Sequence, residues 1–217
     1  RELDADHVFI ATGAHWRADG IGRNRRTSLP GLASHRVLSP DALMAGEQPV
    51  PGPVVVYDDD QCYLAAVLAE HLAIAHEVTY VTPAPVVSAW TEYTLEQSRV
   101  HRRLLELGVR VVCGHTLSGL DAGDAVLDGV YGEPTQRVAC VTLVPVTERV
   151  PNDALFHTVR DSGLRGSVEL VGDALCPALI ADAVFDGHRA ARNLGRDPDD
   201  VEREYFTREM PSLDACN

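Results

Sequence analysis

An α/β fold of the Rossmann-like, three-layer kind, carrying an antiparallel β-meander, is predicted by three features of this 217-residue sequence. The stretch 54–112 alternates short apolar runs with helical periodicity, the rhythm of parallel strands joined by crossover helices in a mononucleotide-binding half. Turn signals at Asp121-Ala122-Gly123 and Asp128-Gly129 then punctuate residues 116–144 as a meander. A further strand, SVELVG from Ser167, runs into Gly172-Asp173 and a helix rich in small residues.

Taken in order, HVFIATG (7–13) reads as a buried strand ending in a small-residue turn, and a loop rich in Gly, Arg and Pro follows to Pro30-Gly31. Residues 37–46 make a short helix with Ser39 as its cap and Pro40 at the first helical position, where an N–H would be unpaired anyway. Pro49, Pro51, Gly52 and Pro53 form a stiff linker. Past it come a buried strand, VVVY (54–57), and a helix from Gln61 to Ala75 with Leu64, Leu68, Leu72 and Ala75 on one face. EVTYV (77–81) is a strand alternating in and out, Leu95 to Leu107 a helix stopped by Gly108, and VRVV (109–112) the next strand. The last helix places Ala183, Val184, Gly187, Ala190, Ala191 and Leu194 on one stripe against a sheet and stops at Gly195 before Pro198. The charged tail after 198 reads as peripheral. The expected division is 1–49, 50–150 and 151–217.

A net charge of −13 argues against a nucleic-acid binder, which needs a basic face to displace counterions from phosphate. The local exception, Arg23, Arg25 and Arg26, reads either as a solvated loop or as a contact to a nucleotide phosphate or another subunit. No apolar run approaches the ~20 residues that span a bilayer, and the start is no signal peptide, so a cytoplasmic protein without membrane contact is expected. Five cysteines contain no C-x-x-C and no zinc-like spacing with histidine, and read as packing thiols. Nine histidines are dispersed without an H-x-x-x-H or a Ser/His/Asp arrangement, so no catalytic residue and no metal ligand is assigned.

Gly172-Asp173 is the first candidate site. A strand ending in G-D before a helix gathers backbone N–H groups and a helix N-terminus, which attract phosphate, and the carboxylate can accept a ribose or ribityl hydroxyl. A capping Asp at any buried strand-to-helix turn would look the same. At Asp58-Asp59-Asp60 a working NAD site needs glycines, so that backbone can approach the pyrophosphate. Three carboxylates there repel phosphate by about 1 kcal/mol per charge pair at 4 Å in water, and more in a cleft. Tyr63 stands where compactness is wanted, and the second strand ends in Thr82-Pro83 without an acid for the ribose. NAD(P) is therefore unexpected. Consecutive Asp side chains diverge, so the cluster reads as solvated acids at a capped helix N-terminus rather than a cation site. His188 reads as packing or exposed, and Trp16 as a packing residue or the flank of an adenine.

The stretch LVGDALCPALIADAVFDGHRAARNL resembles the C-terminal flavin-domain signature of flavoproteins with two dinucleotide domains. More narrowly, it is similar to the trimethylamine dehydrogenase, histamine dehydrogenase and 2,4-dienoyl-CoA reductase branch. HVFIATGAHW, VVVYDDDQCYLAAVLAEHLA and EVTYVTPAPVVSAWTEYTLEQ match motifs of the same branch in the same order, so the resemblance runs through about residue 195. It implies that the outer segments are remnants of a second, FAD-like Rossmann domain. It carries nucleotide contacts onto Thr12, Gly13, Gly172 and Asp173, with ADP or FAD as the nucleotide of the complete domain. In that branch the Asp-rich turn belongs to an NAD-like site that no longer serves NAD. At Val146-Thr147-Glu148-Arg149 relatives carry T-G, so the backbone at Glu148 either needs no positive φ or is rearranged.

The branch also implies a parent enzyme with an N-terminal TIM barrel holding FMN and an iron–sulfur cluster. Neither lies in this chain, which opens at Arg1 and has no G-x-G-x-x-G turn. The leading expectation is the nucleotide-binding-like C-terminal region of a flavin-dependent amine dehydrogenase, catalytically incomplete by itself. Its expected partners are the missing barrel domain, an electron-transfer partner and further copies of itself. The alternative is a free-standing, non-catalytic module that binds an adenine nucleotide or a partner protein. An NAD(P)H-dependent flavin reductase is disfavoured by the missing glycine turns.

Overall fold

The computed structural model describes residues 5–162 and 166–196, so the expected peripheral tail after 198 and Cys216 lie outside the described residues. In chain order the strands are β1 (His7–Ile10), β2 (Ala14–Trp16), β3 (Arg36–Val37), β4 (Val54–Asp58), β5 (Val78–Thr82), β6 (Arg110–Cys113), β7 (His115–Asp121), β8 (Asp124–Gly129), β9 (Gln136–Ala139), β10 (Thr142–Val146), β11 (Arg149–Pro151) and β12 (Ser167–Leu170). The helices are α1 (Pro40–Met44), α2 (Leu64–Leu72), α3 (Gln97–Glu106), α4 (Ala154–Asp161) and α5 (Ile180–Asn193). The chain divides into a central unit, residues 14–150, and an outer unit formed by the residues up to 13 and from 151 onward.

The central unit is built on a five-stranded parallel sheet ordered β3-β10-β4-β5-β6. Both faces of this sheet are covered. Val54 and Val56 of β4 join Ala65, Leu68, Ala69 and Leu72 of α2 in one apolar layer. The alternate residues Val55 and Tyr57 face Leu117, Leu120, Ala125, Leu127 and Val138 of the antiparallel β7-β8-β9 meander. Helices, parallel sheet and meander make the three layers. Double coverage is why β4 and β5 are buried at every residue, and why the in-and-out alternation expected for residues 77–81 is not observed. Polar Thr79 and Thr82 are simply enclosed.

Local chemistry sets several boundaries as expected. Ser39 caps α1, with the Ala42 N–H donating to its Oγ at 3.1 Å and Pro40 in the first turn. Gly108 ends the α3 segment with φ +75°. The β7–β8 hairpin turns through Ala122 and Gly123, both with positive φ, the handedness a two-residue turn between twisted strands requires.

Three expectations are corrected. The helix placed over Gln61–Ala75 spans only Leu64–Leu72, because Gln61 adopts a left-handed φ of +64° and Ala73 already caps the end. The meander expected through residue 144 ends at β9. Cys140 N–H still bonds back to Gly123 O, but Val141 N–H donates to Pro53 O, and β10 passes between β3 and β4. Pro145 in that inner strand is tolerated because its missing N–H faces the β3 side, where pairing stops at Leu143↔Val37. On α5, Ala183, Gly187 and Ala190 are half-buried while Val184, Ala191 and Leu194 are exposed, so the expected stripe holds only for its smallest members. The helix meets the 172–174 turn through Ala183, whose Cβ lies 3.5 Å from where a Gly172 side chain would begin.

In the outer unit β1 and β12 pair in parallel, Ile10 opposite Leu170, with α4 before β12 and α5 after it in the chain. The sequence reading had no element for α4 or for the short β2 and β11, which form a two-stranded ribbon. Glu148 does not adopt a positive φ; its carbonyl accepts the Arg17 N–H at 3.0 Å. Trp16 packs on the α2 side of the core, under the Arg149 guanidinium at 5.4 Å.

Gly31 has φ +84°, and a Cβ there would lie 1.9 Å from Leu120 O. Gly31→Ala is therefore expected to destabilise the chain by roughly 2–3 kcal/mol. Gly123→Ala, at φ +90° but in open space, should cost only about 1 kcal/mol. Urea unfolding of both variants checks the contrast, and equal midpoints would contradict it.

Candidate functional site

The parallel pairing of β1 with β12 brings the four expected contact residues to one edge of the outer unit. Thr12 and Gly13 leave the C-terminal end of β1; Gly172 and Asp173 leave the same end of β12, where Val171 N–H bonds to Ile10 O at 3.0 Å. Gly13 and Gly172 have φ of +76° and +61°. A left-handed backbone at both exits turns the chain sharply, and only glycine does so without strain.

Each group at this edge already has a local partner. Thr12 Oγ1 donates to Asn152 O at 2.5 Å, and Asn152 returns its backbone N–H to Gly13 O and its side-chain amide to Thr12 O at 3.3 Å. Gly172 N–H donates to Asp186 Oδ2 at 2.8 Å, and Arg189 donates to the same carboxylate. Asp173 Oδ1 accepts the Ala178 N–H at 3.1 Å, which orients the carboxylate. Helix α5 reaches Gly172 through Ala183 in its first turn, not through its N-terminal N–H groups. The helix begins at Ile180, and Asp182 accepts the Leu179 N–H there. At this edge the Gly172 N–H is bonded within the chain and the Asp173 carboxylate is held by the Ala178 N–H. Asn152 and Asp186 were not singled out from the sequence, since nothing marks an Asn after a Val-Pro or an Asp on an amphipathic helix as a backbone clamp.

The second site-like region is the crevice of the central unit. From β4 the order runs outward through β5 and β6 on one side, with β10 and β3 on the other, so the topological switch point lies between β4 and β10. Open α/β sheets bind ligands at such points, beyond the C-terminal strand ends. Here the turn after β4 uses its own N–H groups internally. Asp59 N–H and Asp60 N–H both donate to Val146 O, at 2.9 and 3.1 Å, and Gln61 N–H donates to Asp58 Oδ1 at 2.7 Å. Asp58 and Asp59 are buried, not the solvated acids expected, because the fold encloses this turn. No helix cap is formed by them either: α2 starts after Tyr63, without a side-chain cap.

Burial, opposed by the Tyr80 hydroxyl and the Gln61 N–H, pushes the Asp58 carboxyl up to about 7. Tyr80 donates to Asp58 and accepts the Ser88 N–H at 3.2 Å. Cys62 and Cys140 are raised to about 11 and about 12, chiefly by burial, so neither is a thiolate near neutrality. Cys62, Cys113, Cys140 and Cys176 are unpaired thiols, and no cluster of metal-ligating side chains occurs among the described residues. No helix is long and apolar enough to cross a membrane, again among the described residues. His188 is exposed on α5.

The fold defines a Rossmann-like α/β type of protein, and comparison with known proteins gives the family. The family model for the OYE-like second alpha/beta domain matches residues 38–152. Dimethylamine dehydrogenase of Hyphomicrobium sp. (strain x) is 32% identical over 96% of this chain and 32% of its own length. Histamine dehydrogenase from Rhizobium sp. 4-9 matches at 37% identity with a TM-score of 0.83, over 95% of this chain and 34% of its own. The 6-hydroxypseudooxynicotine amine oxidase (HisD) of Pseudomonas geniculata N1 matches at 39% identity with a TM-score of 0.83, over 88% and 29%. The chain belongs to the family of the OYE-like second alpha/beta domain, and over nearly its whole length it is similar to a dimethylamine dehydrogenase and a histamine dehydrogenase. It spans about a third of the length of these relatives.

Asp58 has its folded-state pKa raised from 3.8 to about 7, so its contribution to stability is fullest below about pH 4 and falls away as pH rises through 7. Asp58→Asn is expected to flatten that fall in unfolding midpoints measured from pH 4 to 8; parallel profiles would show that Asp58 does not titrate there. Tyr80→Phe removes a donor from a buried carboxyl and should destabilise by about 1–3 kcal/mol, more at pH 8 than at pH 5.

Proposed function

We propose that this chain is the nucleotide-binding-like region of a larger flavin-dependent amine dehydrogenase, and that it is catalytically incomplete by itself. The observation that carries the reading is the outer edge, where two parallel strands end side by side at Gly13 and Gly172 with the Asp173 carboxylate oriented beyond them. The named substrates of the relatives are amines, which supports oxidation at a C–N bond as the reaction of the whole protein. Its redox chemistry belongs to FMN and an iron–sulfur cluster held by a barrel domain outside this chain, with an electron-transfer partner beyond.

On this reading residues 50–150 are the NAD(P)-like domain, while 1–49 and 151–217 are the leading and return segments of an FAD-like one, with 14–49 packed as part of the central unit. Thr12, Gly13, Gly172 and Asp173 face an ADP or FAD of the complete domain. Asp173 accepts a ribose or ribityl hydroxyl. Gly172 keeps its glycine for the turn and the close approach of Ala183, its N–H being held by Asp186. If the nucleotide is FAD, its ring supplies electron transfer, and these residues only hold and orient it.

Two measurements test this. Antibody raised against the chain should detect a protein far above 23.5 kDa in the source cells. A single band at 23.5 kDa would instead favour a free-standing binding module. Asp173→Ala in the whole protein is expected to weaken ADP binding about tenfold, the worth of one charge-assisted hydrogen bond. Unchanged affinity by calorimetry removes Asp173 from the site.

A further inference from the structure

We propose that the switch-point crevice of the central unit has an occupant built into the chain: the loop of residues 20–25, keyed by Gly22 and Asn24 onto Asp59. This loop seals the position where a dinucleotide's pyrophosphate lies in a working unit of this fold. Gly22 is buried, and a Cβ on it would fall 2.5 Å from Asp59 Oδ2 and 2.9 Å from Thr147 Cβ. Asp59 and Thr147 are the residues immediately after β4 and β10, so the Gly22 backbone sits between the two strand ends that flank the switch point. Here glycine is required by space and not by φ.

Two donors then lock the loop. The Asn24 backbone N–H reaches Asp59 Oδ2 at 3.0 Å, and its side-chain amide reaches Asp59 Oδ1 at 2.5 Å, so both oxygens of a buried carboxylate are answered. A buried carboxylate needs such donors to remain tolerable. The loop is also closed on itself and tied at its flanks. Gly22 N–H donates to Arg25 O at 2.9 Å, Arg25 donates to Ser118 O at 2.9 Å, and Arg23 lies 5.6 Å over the Trp90 ring. Leu29 anchors the far end in the meander-side core.

The polarity of the crevice is thus the reverse of a phosphate site. In a working unit the strand-end turn supplies donors and the ligand supplies acceptors. In this chain the turn supplies the acceptor Asp59, its own N–H groups are bonded to Val146 O and Asp58, and the loop supplies the donors. A pyrophosphate has neither the room nor the donors it needs. This assignment concerns the central unit alone and does not rest on a nucleotide at Asp173.

The test is limited trypsin digestion of the full chain, with cleavage after Arg23, Arg25 and Arg26 followed by mass spectrometry. Arg99, Arg102 and Arg103 on α3 serve as the internal measure of folding. Asn24→Ala and Gly22→Ala are expected to speed cleavage in the loop about tenfold or more, with cleavage in α3 unchanged. Should Gly22→Ala lose its fold, seen as faster α3 cleavage, Asn24→Ala decides, because that side chain lies at the surface. Equal loop cleavage in wild type and Asn24→Ala would overturn the proposal. So would saturable NADH binding by wild type that survives Asp173→Ala, since that binding would have to use an open crevice.

Discussion

Strand β10 enters the parallel sheet between β3 and β4, and nearly every other feature of the central unit follows from that insertion. It gives β4 a partner on its second edge, so the sheet order reverses there. Its register, Val146 opposite Asp58, aligns two strand ends and presents Val146 O to the N–H groups of Asp59 and Asp60. The meander must therefore end by Cys140, and a sheet sandwiched between α2 and β7–β9 must be apolar on both faces. Burying each Val or Leu side chain of β4, β5 and β10 contributes roughly 1.5–3 kcal/mol, which makes this insertion hard to reverse.

That architecture draws two carboxylates into the interior, and the local structure is arranged around them. Asp58 is satisfied by Tyr80 and by Gln61, and Gln61 reaches it only from a left-handed backbone. Ser88, also left-handed at φ +46°, supplies its N–H to the Tyr80 oxygen. Strained non-glycine residues thus gather at the C-terminal edge of β4 and β5, where the hydrogen bonds they make can repay about 1–3 kcal/mol each. An edge that in other proteins of this architecture faces a ligand is here held by contacts within the chain.

The outer unit has the opposite character. Its strand pair is short, its helices have no buried residue, and its apolar members such as Ile180 and Val184 are exposed. What it orders well is the pair of strand exits, through Asn152 on one side and Asp186 on the other. The chain therefore carries two strand-end edges, one in each unit. Both have their strand-exit N–H groups bonded within the chain, the central one to Val146 O and Asp58, the outer one to Asp186.

Much of this was legible in the sequence, for local reasons. The Ser39-Pro40 cap, the stop at Gly108, the hairpin at Ala122-Gly123 and the apolar runs of β4 and β6 depend on residues within a few positions of one another. The Gly-Asp exit after β12 is local too, and its motif suffices to place it beside Thr12-Gly13 once the strands pair. The sequence could not tell that Thr142–Val146 leaves the meander, because an apolar run reads the same in either sheet. It could not tell that Asp58 and Asp59 are buried, because three consecutive acids look solvated until Tyr80, 22 residues away, and Asn24, 35 residues away, are brought to them. Residue type and short-range pattern determined which elements form and where they end. Only tertiary packing decided which N–H groups and carboxylates are bonded within the chain, since that depends on partners far away in it.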